Sequence, residues 1–365
     1  MWGDISIAFL LAFVTAFVVT PYTIRLAKKV GAIDMPEKRR INQQPIPRLG
    51  GLAVIIGFLL SCTYLLIVMT LEKTFFPFGE EQYFHKLMGI LLGILVLAVF
   101  CFIDDVKGLP AIIKLIGQTI AAVIVVSFGT QIDNINIPFL EQTLNIDNHI
   151  YIYILSVGWI IGITNAINLI DGLDGLSSGI TLISCFSLII VFTMNQSPLI
   201  SIILITALAG AIVGFLPYNF NPAKTFIGDT GAQFLGFSLS IISILGTAKT
   251  YTLLVLIAPL IILALPIADT LFAIVRRIIK GHSVKAVFSP DTGHLHHKLM
   301  QKGYTQKQAV LILYGISACF GMFAIILLES GVWKACSFAL MILAVIAIGY
   351  RDFFKVKKDK KDKKN

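Results

Sequence analysis

Apolar residues run through this chain in long, nearly unbroken stretches, and polar residues gather in the short segments between them. A run of roughly 18 or more apolar residues reads as a membrane-spanning helix. About eleven such runs are predicted, near 5–24, 49–71, 86–103, 111–128, 150–166, 176–194, 199–216, 232–248, 252–275, 308–328 and 331–349. In lipid every backbone N–H and C=O must be paired internally, so spans are helices or closed barrels. These runs are too long and too continuously apolar for the alternating strands of a barrel. The prediction is therefore an all-α polytopic bundle. One integral-membrane domain covers 1–350, followed by a tail over 351–365. The first run begins almost at Trp2 with no basic segment before it, so it reads as a retained span rather than a cleaved signal.

Composition strengthens this reading. The chain is 57% hydrophobic and 13% charged, against about 25% charged in an ordinary soluble domain. Its formal net charge of +9 is unevenly placed. Arg25, Lys28, Lys29, Lys38, Arg39, Arg40 and Arg48 follow the first run, Arg276 to Lys307 follow the ninth, and lysines fill the tail. Segment 129–149 has no Lys or Arg but holds Asp133, Glu141 and Asp147, and 72–85 has one Lys against Glu72, Glu80 and Glu81. The positive-inside rule then places the N-terminus outside and the C-terminus in the cytoplasm, and a multi-pass protein of the plasma membrane is expected. The basic charge encodes topology, which leaves nucleic-acid binding as the weaker reading. Cys62, Cys101, Cys185, Cys319 and Cys336 are scattered through the apolar runs without CxxC spacing and read as small buried hydrophobes. On the outer side, Gln131 to Pro138 alternates in a way that suits a short hairpin.

The acids that interrupt the apolar pattern carry the candidate chemistry, because carboxylates at membrane depth are costly and persist there for function. Asp104-Asp105-Val-Lys107 closes the third run, with Lys114 two turns further on. Adjacent carboxylates repel and call for a cation. Asn165-Ala-Ile-Asn168-Leu-Ile-Asp171-Gly-Leu-Asp174-Gly-Leu176 follows the fifth run. If this stretch is helical, Asn168, Asp171 and Asp174 share one face. Gly172 and Gly175 permit a break. Tyr218-Asn219 leads through Lys224 to Phe226-Ile-Gly228-Asp229-Thr230-Gly231, where a carboxylate, a hydroxyl and free N–H groups at a helix start suit a metal and a phosphate. The Walker spacing is absent. His294-Leu-His296-His297-Lys298 looks at first like a transition-metal site. The carboxylates elsewhere suit a hard divalent ion better, which leaves the imidazoles for phosphate or substrate. His282 reads as an ordinary loop residue. Asp269, inside the ninth run with Arg276 two turns later, divides evenly between function and a buried helix-to-helix contact. Five cytoplasmic loops brought together in this way would make one polar site with apolar walls, suited to phosphoryl transfer between a soluble phosphate ester and a lipid.

The DD, NxxN–DGLDG, FxGDxG and HxHH segments, in that order, closely resemble the polyprenyl-phosphate N-acetylhexosamine-1-phosphate transferases of glycosyl transferase family 4. Pro47-Arg48-Leu-Gly50-Gly51 resembles that family's first-loop signature. His-Leu-His-His followed by Lys298-Leu299 is similar to the bacterial branch that uses UDP-N-acetylglucosamine, rather than the branch that transfers phospho-N-acetylmuramoyl-pentapeptide.

The resemblance implies transfer of a sugar-1-phosphate from a UDP-amino sugar to a polyprenyl phosphate such as undecaprenyl phosphate, releasing UMP, as the first membrane step toward a cell-wall polymer. It implies Mg²⁺, with Mn²⁺ as a substitute, on Asp229 and Asn168. It places Asp174 against uracil, Asn219 and Phe226 in the nucleoside pocket, Lys114 on phosphate, and His294, His296 and His297 on phosphate or sugar. Arg48 is grouped with the substrate-binding residues and Asp104, Asp105, Asp171 and Lys114 with the catalytic ones. The expected partners are the two substrates and the bilayer, and a homodimer is left open. Two other classes compete. A secondary transporter would set its acids near the midplane, whereas most of these sit at cytoplasmic helix ends. A scaffold would not require four acid-rich loops on one side.

Overall fold

The computed structural model describes residues 2–36, 44–71, 82–132, 134–137, 142–145, 149–247, 253–281 and 293–344. Lys38, Arg39, Arg40, Asp133, Pro138, His282 and the tail lie outside the described residues. The helices are α1 (Trp2–Val30), α2 (Gly50–Leu71), α3 (Gln82–Lys107), α4 (Ala111–Ser127), α5 (His149–Ile170), α6 (Leu176–Met194) and α7 (Leu199–Asn219). They continue with α8 (Gly228–Thr247), α9 (Leu253–Ile262), α10 (Ala264–Gly281), α11 (Leu295–Gln301), α12 (Gln306–Ser330) and α13 (Val332–Ala344). The described residues of the predicted apolar runs fall almost wholly on helix. Among the described residues, eight helices are long and apolar enough to cross a membrane, and α4 and α13 are shorter apolar helices.

The ninth predicted run is not one continuous helix. It breaks at Leu263 into α9 and α10. Pro266 brings no N–H for the carbonyl of Ile262, so the ladder is interrupted just there.

α8 is the hub. The whole of its apolar window is buried, with α2, α3, α5, α6 and α7 packed around it. Lipid offers little hydrophobic drive between helices, so close packing of small residues takes over. α1 buries Ala8, Ala12 and Ala16 at four-residue steps. On α7, a Cβ at Gly210 would lie 2.3 Å from the Phe9 carbonyl oxygen, and one at Gly214 would lie 2.3 Å from that of Phe13. The Ser61 hydroxyl on α2 donates to the Ala8 carbonyl at 2.9 Å. Large apolar side chains such as Leu10, Val14, Leu95, Ile116 and Phe272 are left on the outer surface, as expected of a lipid-facing wall.

The strands are few. β1 (Ile33–Asp34) pairs antiparallel with β2 (Ile46–Pro47) beside the end of α1. β3 (Asn134–Ile137) pairs antiparallel with β4 (Gln142–Asn145), and this is the hairpin expected from the alternation. The hairpin lies between α4 and α5, at the opposite end of the bundle from β1–β2. The β1–β2 end gathers the starts of α2, α4, α6, α8 and α12 and the ends of α1, α3, α5, α7 and α10. The described parts of all five polar loops meet there.

Candidate active site

The start of α8 is built from two distant loops. Gly50 and Gly51 begin α2 and donate their N–H groups to the carbonyls of Phe226 and Ile227 at 3.0 and 2.8 Å. Phe226 N–H in turn donates to Pro47 O at 2.8 Å. A Cβ at Gly51 would meet the Cα of Gly231 at 2.2 Å, so the paired glycines of the first loop let two helix starts touch. Gly228 has φ +71°, and a Cβ there would strike Arg48 O and Asp105 Oδ2. Only glycine fits that position.

Asp105 closes the same junction. Its carboxylate accepts the N–H groups of Asp229 (3.0 Å) and Thr230 (2.9 Å) and the Thr230 hydroxyl (2.5 Å). This is a side-chain cap at a helix N-terminus, supplied by α3 instead of the preceding residue. Arg48 donates from Nε and Nη2 to the Asp105 carbonyl at 3.0 and 2.7 Å. Asp105 and Arg48 thus hold the loop that carries Asp229, although both were expected to act on substrate. Both also line the cavity described below.

Asp229 sits in the first turn of α8. Its Oδ1 accepts from Asn168 Nδ2 at 2.7 Å and its Oδ2 from Lys114 Nζ at 3.0 Å. Lys114 Nζ also lies 2.5 Å from Asp104 Oδ2. Asp104 is buried, and its Oδ1 accepts from Leu109 N–H at 2.7 Å. One ammonium therefore holds two carboxylates from α3 and α8 in apposition, as the adjacent acids required. The donor set of Asp229 and Asn168 is hard oxygen. Among the described residues, no group of three His, Cys, Asp or Glu side chains could hold a metal ion. Oxygen donors such as those of Asp229 and Asn168 fit Mg²⁺, which keeps waters and takes further ligands from substrate phosphates.

α5 ends at Ile170, so Asn168, Asp171 and Asp174 do not continue along one helix face. The chain turns through 171–175, and Gly175 at φ +74° starts α6. Asp171 and Asp174 instead line a cavity of about 300 Å³ together with Arg48, Phe226, Asp229 and His297. Asp171 is half-buried and accepts from the Ser177 hydroxyl at 2.6 Å. Burial first, and then the charges of Asp229, Asp105 and Asp174, push its carboxyl up to about 7. Asp174 Oδ2 accepts from Asn221 Nδ2 at 2.9 Å and Ala223 N–H at 3.1 Å. Asn221 also donates to Gln306 Oε1 at 3.1 Å, which ties in the start of α12. Asn219 lines the cavity and braces its wall, accepting from the Ser178 hydroxyl at 2.8 Å and donating to Thr225 O at 3.1 Å.

The histidines divide. His294 is buried, and its Nδ1 lies 2.7 Å from Asp269 Oδ2. Leu295 N–H donates to Asp269 Oδ1 at 3.0 Å. Asp269 therefore orients His294 and caps the start of α11. His296 is buried with its ring edge against Gly172, where a Cβ would lie 2.2 Å from Nε2. Burial, helped by His297 and His294, lowers His296 to about 4. Its ring stacks with that of His294 at 5.8 Å and lies 4.2 Å from that of His297. His297 is the member of the three that lines the cavity.

Sequence reasoning missed Asn221, Ser177 and Gln306. Asn221 had a signal, its place in the same polar loop as Asn219. Gln306 had none.

Known proteins decide the family. A probable undecaprenyl-phosphate N-acetylglucosaminyl 1-phosphate transferase of Bacillus subtilis (strain 168) is 38% identical over 93% of this chain and 89% of its own length. The sequence model of glycosyl transferase family 4 matches residues 87–247. The chain belongs to glycosyl transferase family 4. A decaprenyl-phosphate N-acetylglucosaminephosphotransferase of Mycobacterium tuberculosis (strain H37Rv) is 32% identical over 83% of the chain and 77% of its own length. A phospho-N-acetylmuramoyl-pentapeptide-transferase of Listeria monocytogenes is 30% identical over 85% and 93%. The family match covers α3 to α8, and so includes Asp104, Asp105, Lys114, Asn168, Asp171, Asp174 and Asp229. The fifth loop, with its histidines, lies beyond it but within the long alignment to the Bacillus protein.

Proposed function

We propose that the protein transfers N-acetylglucosamine-1-phosphate from UDP-N-acetylglucosamine to undecaprenyl phosphate, giving undecaprenyl-pyrophosphoryl-N-acetylglucosamine and UMP, as the first membrane step of a cell-wall polymer. The observation that carries this reading is the convergence of Lys114, Asn168 and Asp229 with Asp171, Asp174 and His297 at one end of an apolar bundle. The names of its relatives support N-acetylglucosamine-1-phosphate and a polyprenyl acceptor. Lys28, Lys29, Lys107, Arg276 and Lys298 lie near the site end, so the positive-inside rule supports a cytoplasmic active site at the plasma membrane. The same rule supports eleven spans with the N-terminus outside and the C-terminus inside.

Asp229 and Asn168 would hold Mg²⁺. When bound, it would neutralise the donor pyrophosphate and stabilise departing UMP. Lys114 would bind phosphate beside Asp229. Asp174, held by Asn221 and Ala223, presents its carboxylate to the nucleobase. His297 faces the sugar phosphate, and His294 and His296 support it. An oxygen of the lipid phosphate attacks the β-phosphorus of the donor, and the bond from that phosphorus to the bridging oxygen breaks, so that UMP leaves with the electron pair. The acceptor phosphate has a second pKa near 6 and is largely dianionic at neutral pH. Asp171 takes the remaining proton. It lines the cavity and accepts from the Ser177 hydroxyl, whereas Asp104 and Asp105 are committed to Lys114 and to the start of α8.

Purified protein with Mg²⁺, undecaprenyl phosphate and UDP-N-acetylglucosamine should release UMP. No UMP with any UDP-amino sugar would refute the proposal. A chiral thiophosphate donor separates direct displacement from a covalent aspartyl intermediate: inversion at phosphorus is expected, and net retention would exclude the single step.

A further inference from the structure

Asn165, the first residue of the NxxN segment, takes no part in the cavity. It lies three residues before Asn168 on α5, one turn deeper in the bundle. Two other site residues have an amide at the same remove. Gln118 follows Lys114 by four residues on α4, and Gln233 follows Asp229 by four on α8. Residues three or four apart share a helix face, and four residues rise about 6 Å. Each of the three helices therefore carries a site residue and, beneath it on the same face, an uncharged amide.

The three amides bond to one another. Asn165 Nδ2 donates to Gln118 Oε1 at 2.7 Å, and Gln118 Nε2 donates to Gln233 Oε1 at 2.8 Å. Asn165 also donates to Ile161 O at 2.8 Å, which fixes its own rotamer. Gln118 and Gln233 are 2% and 1% exposed, and Gln233 Nε2 is buried with no hydrogen-bond partner. Buried amides in an apolar bundle are costly unless paired. Their surroundings are apolar, with Ala121, Ala122, Ile163 and Phe234 close in sequence on the same helices. Two side-chain bridges join α4 to α8 directly: Lys114 to Asp229 in the charged layer and Gln118 to Gln233 in the layer below.

We infer that Gln118, Asn165 and Gln233 form a neutral amide layer that sets the spacing of α4, α5 and α8 and so positions Lys114, Asn168 and Asp229. The three are positioning residues and touch no substrate. A charged clamp at this depth would compete with Asp229 for Lys114 or for a divalent ion, and an apolar one would leave the helix spacing loose. Amides link the helices without adding charge.

The inference rests on the transferase reading. The test is a double-mutant cycle on the full-length protein with Gln118→Met and Gln233→Met, which conserve volume and remove the bond. UMP release, binding of UDP-N-acetylglucosamine by calorimetry without metal, and thermal melting are followed together. Each single variant should lose about 10- to 100-fold in kcat and need more Mg²⁺ for half-maximal rate, as changes behind metal-site residues do. Donor binding without metal should stay within about threefold. Each single variant leaves a buried amide unpaired and should melt lower, and the double variant, with both partners replaced by apolar groups, should recover part of that loss. The double variant should be no slower than the slower single one, since one bond serves both residues. Wild-type kcat in both singles, additive losses, or a kcat that recovers in step with melting in the double variant would overturn the assignment. If Gln118→Met fails to fold, Gln118→Asn decides. It keeps the amide with a shorter reach, and wild-type kcat there would also overturn the inference. Failure of the wild-type protein to release UMP sinks the transferase reading instead, so the two failures are distinguishable.

Discussion

Asp269 Oδ2 lies 2.7 Å from His294 Nδ1, a carboxylate on α10 meeting a histidine 25 residues further along the chain. The ionised carboxylate only accepts, so His294 carries its proton on Nδ1 and turns Nε2 away from Asp269. Asp269→Asn keeps the shape and removes the charge. A hydrogen bond to a charged group is worth about 1.5–3 kcal/mol, so kcat should fall about 10- to 100-fold if the full bond serves the transition state. KM for the donor should change little. The check is steady-state UMP release beside a melting curve. A full-rate Asp269→Asn enzyme would make Asp269 a packing contact only.

That pair also marks where sequence reading stops. The apolar runs located the long apolar helices, because a helix in lipid needs only its own length and hydropathy, but not the short polar α11. The acid and glycine segments located the loops of the site for a similar local reason. What stayed hidden are pairings between segments far apart in sequence. Asp105 looked like half of a reactive DD pair, but its carboxylate caps α8 from 124 residues away. Asn165 had no role assigned from the sequence, and it bonds to Gln118. The break at Leu263 required knowing how Pro266 sits in a packed helix, and the β1–β2 pairing depends on the loop from α7 to α8 docking beside it.

Asp229 should be indispensable and structurally dispensable at once. Its side chain is 29% exposed and its partners Lys114 and Asn168 reach it from other helices. Asp229→Ala removes the carboxylate expected to hold the divalent ion. Turnover should drop by about 10³-fold or more, on the scale of losing a main electrostatic element of a phosphoryl-transfer site. The variant should still melt cooperatively, because α8 remains capped by Asp105. Loss of the melting transition, or turnover near that of wild type, would each contradict this role.

Gly172 has no room for a side chain. A Cβ there would lie 2.2 Å from His296 Nε2 and 2.5 Å from Cε1. His296 is wedged among neighbours, so Gly172→Ala must displace either the 171–175 turn or the imidazole. Overpacking of this kind costs about 1–3 kcal/mol. Activity should suffer more than stability, since Asp171 and Asp174 sit on the same turn. Gly162→Ala on α5, where nothing lies within 4 Å, is the matched control and should behave as wild type. Equal rates for the two variants would show that the His296 contact does not shape the site.

Asp171 gives the pH dependence. Burial raises its carboxyl to about 7, above the ordinary value of 3.8, so the folded protein prefers the protonated form. Stability from this group is fully present below the unfolded value and is lost as pH rises through about 7. Asp171→Asn cannot ionise. With a chelator present to exclude divalent ions, it should melt higher than wild type at about pH 8 and equally at about pH 4. Its rate should be low at every pH, and the rise of wild-type activity through neutrality should be missing. A melting difference that does not vary with pH would mean that Asp171 is ionised throughout. The proton of the lipid phosphate would then have to leave by another route.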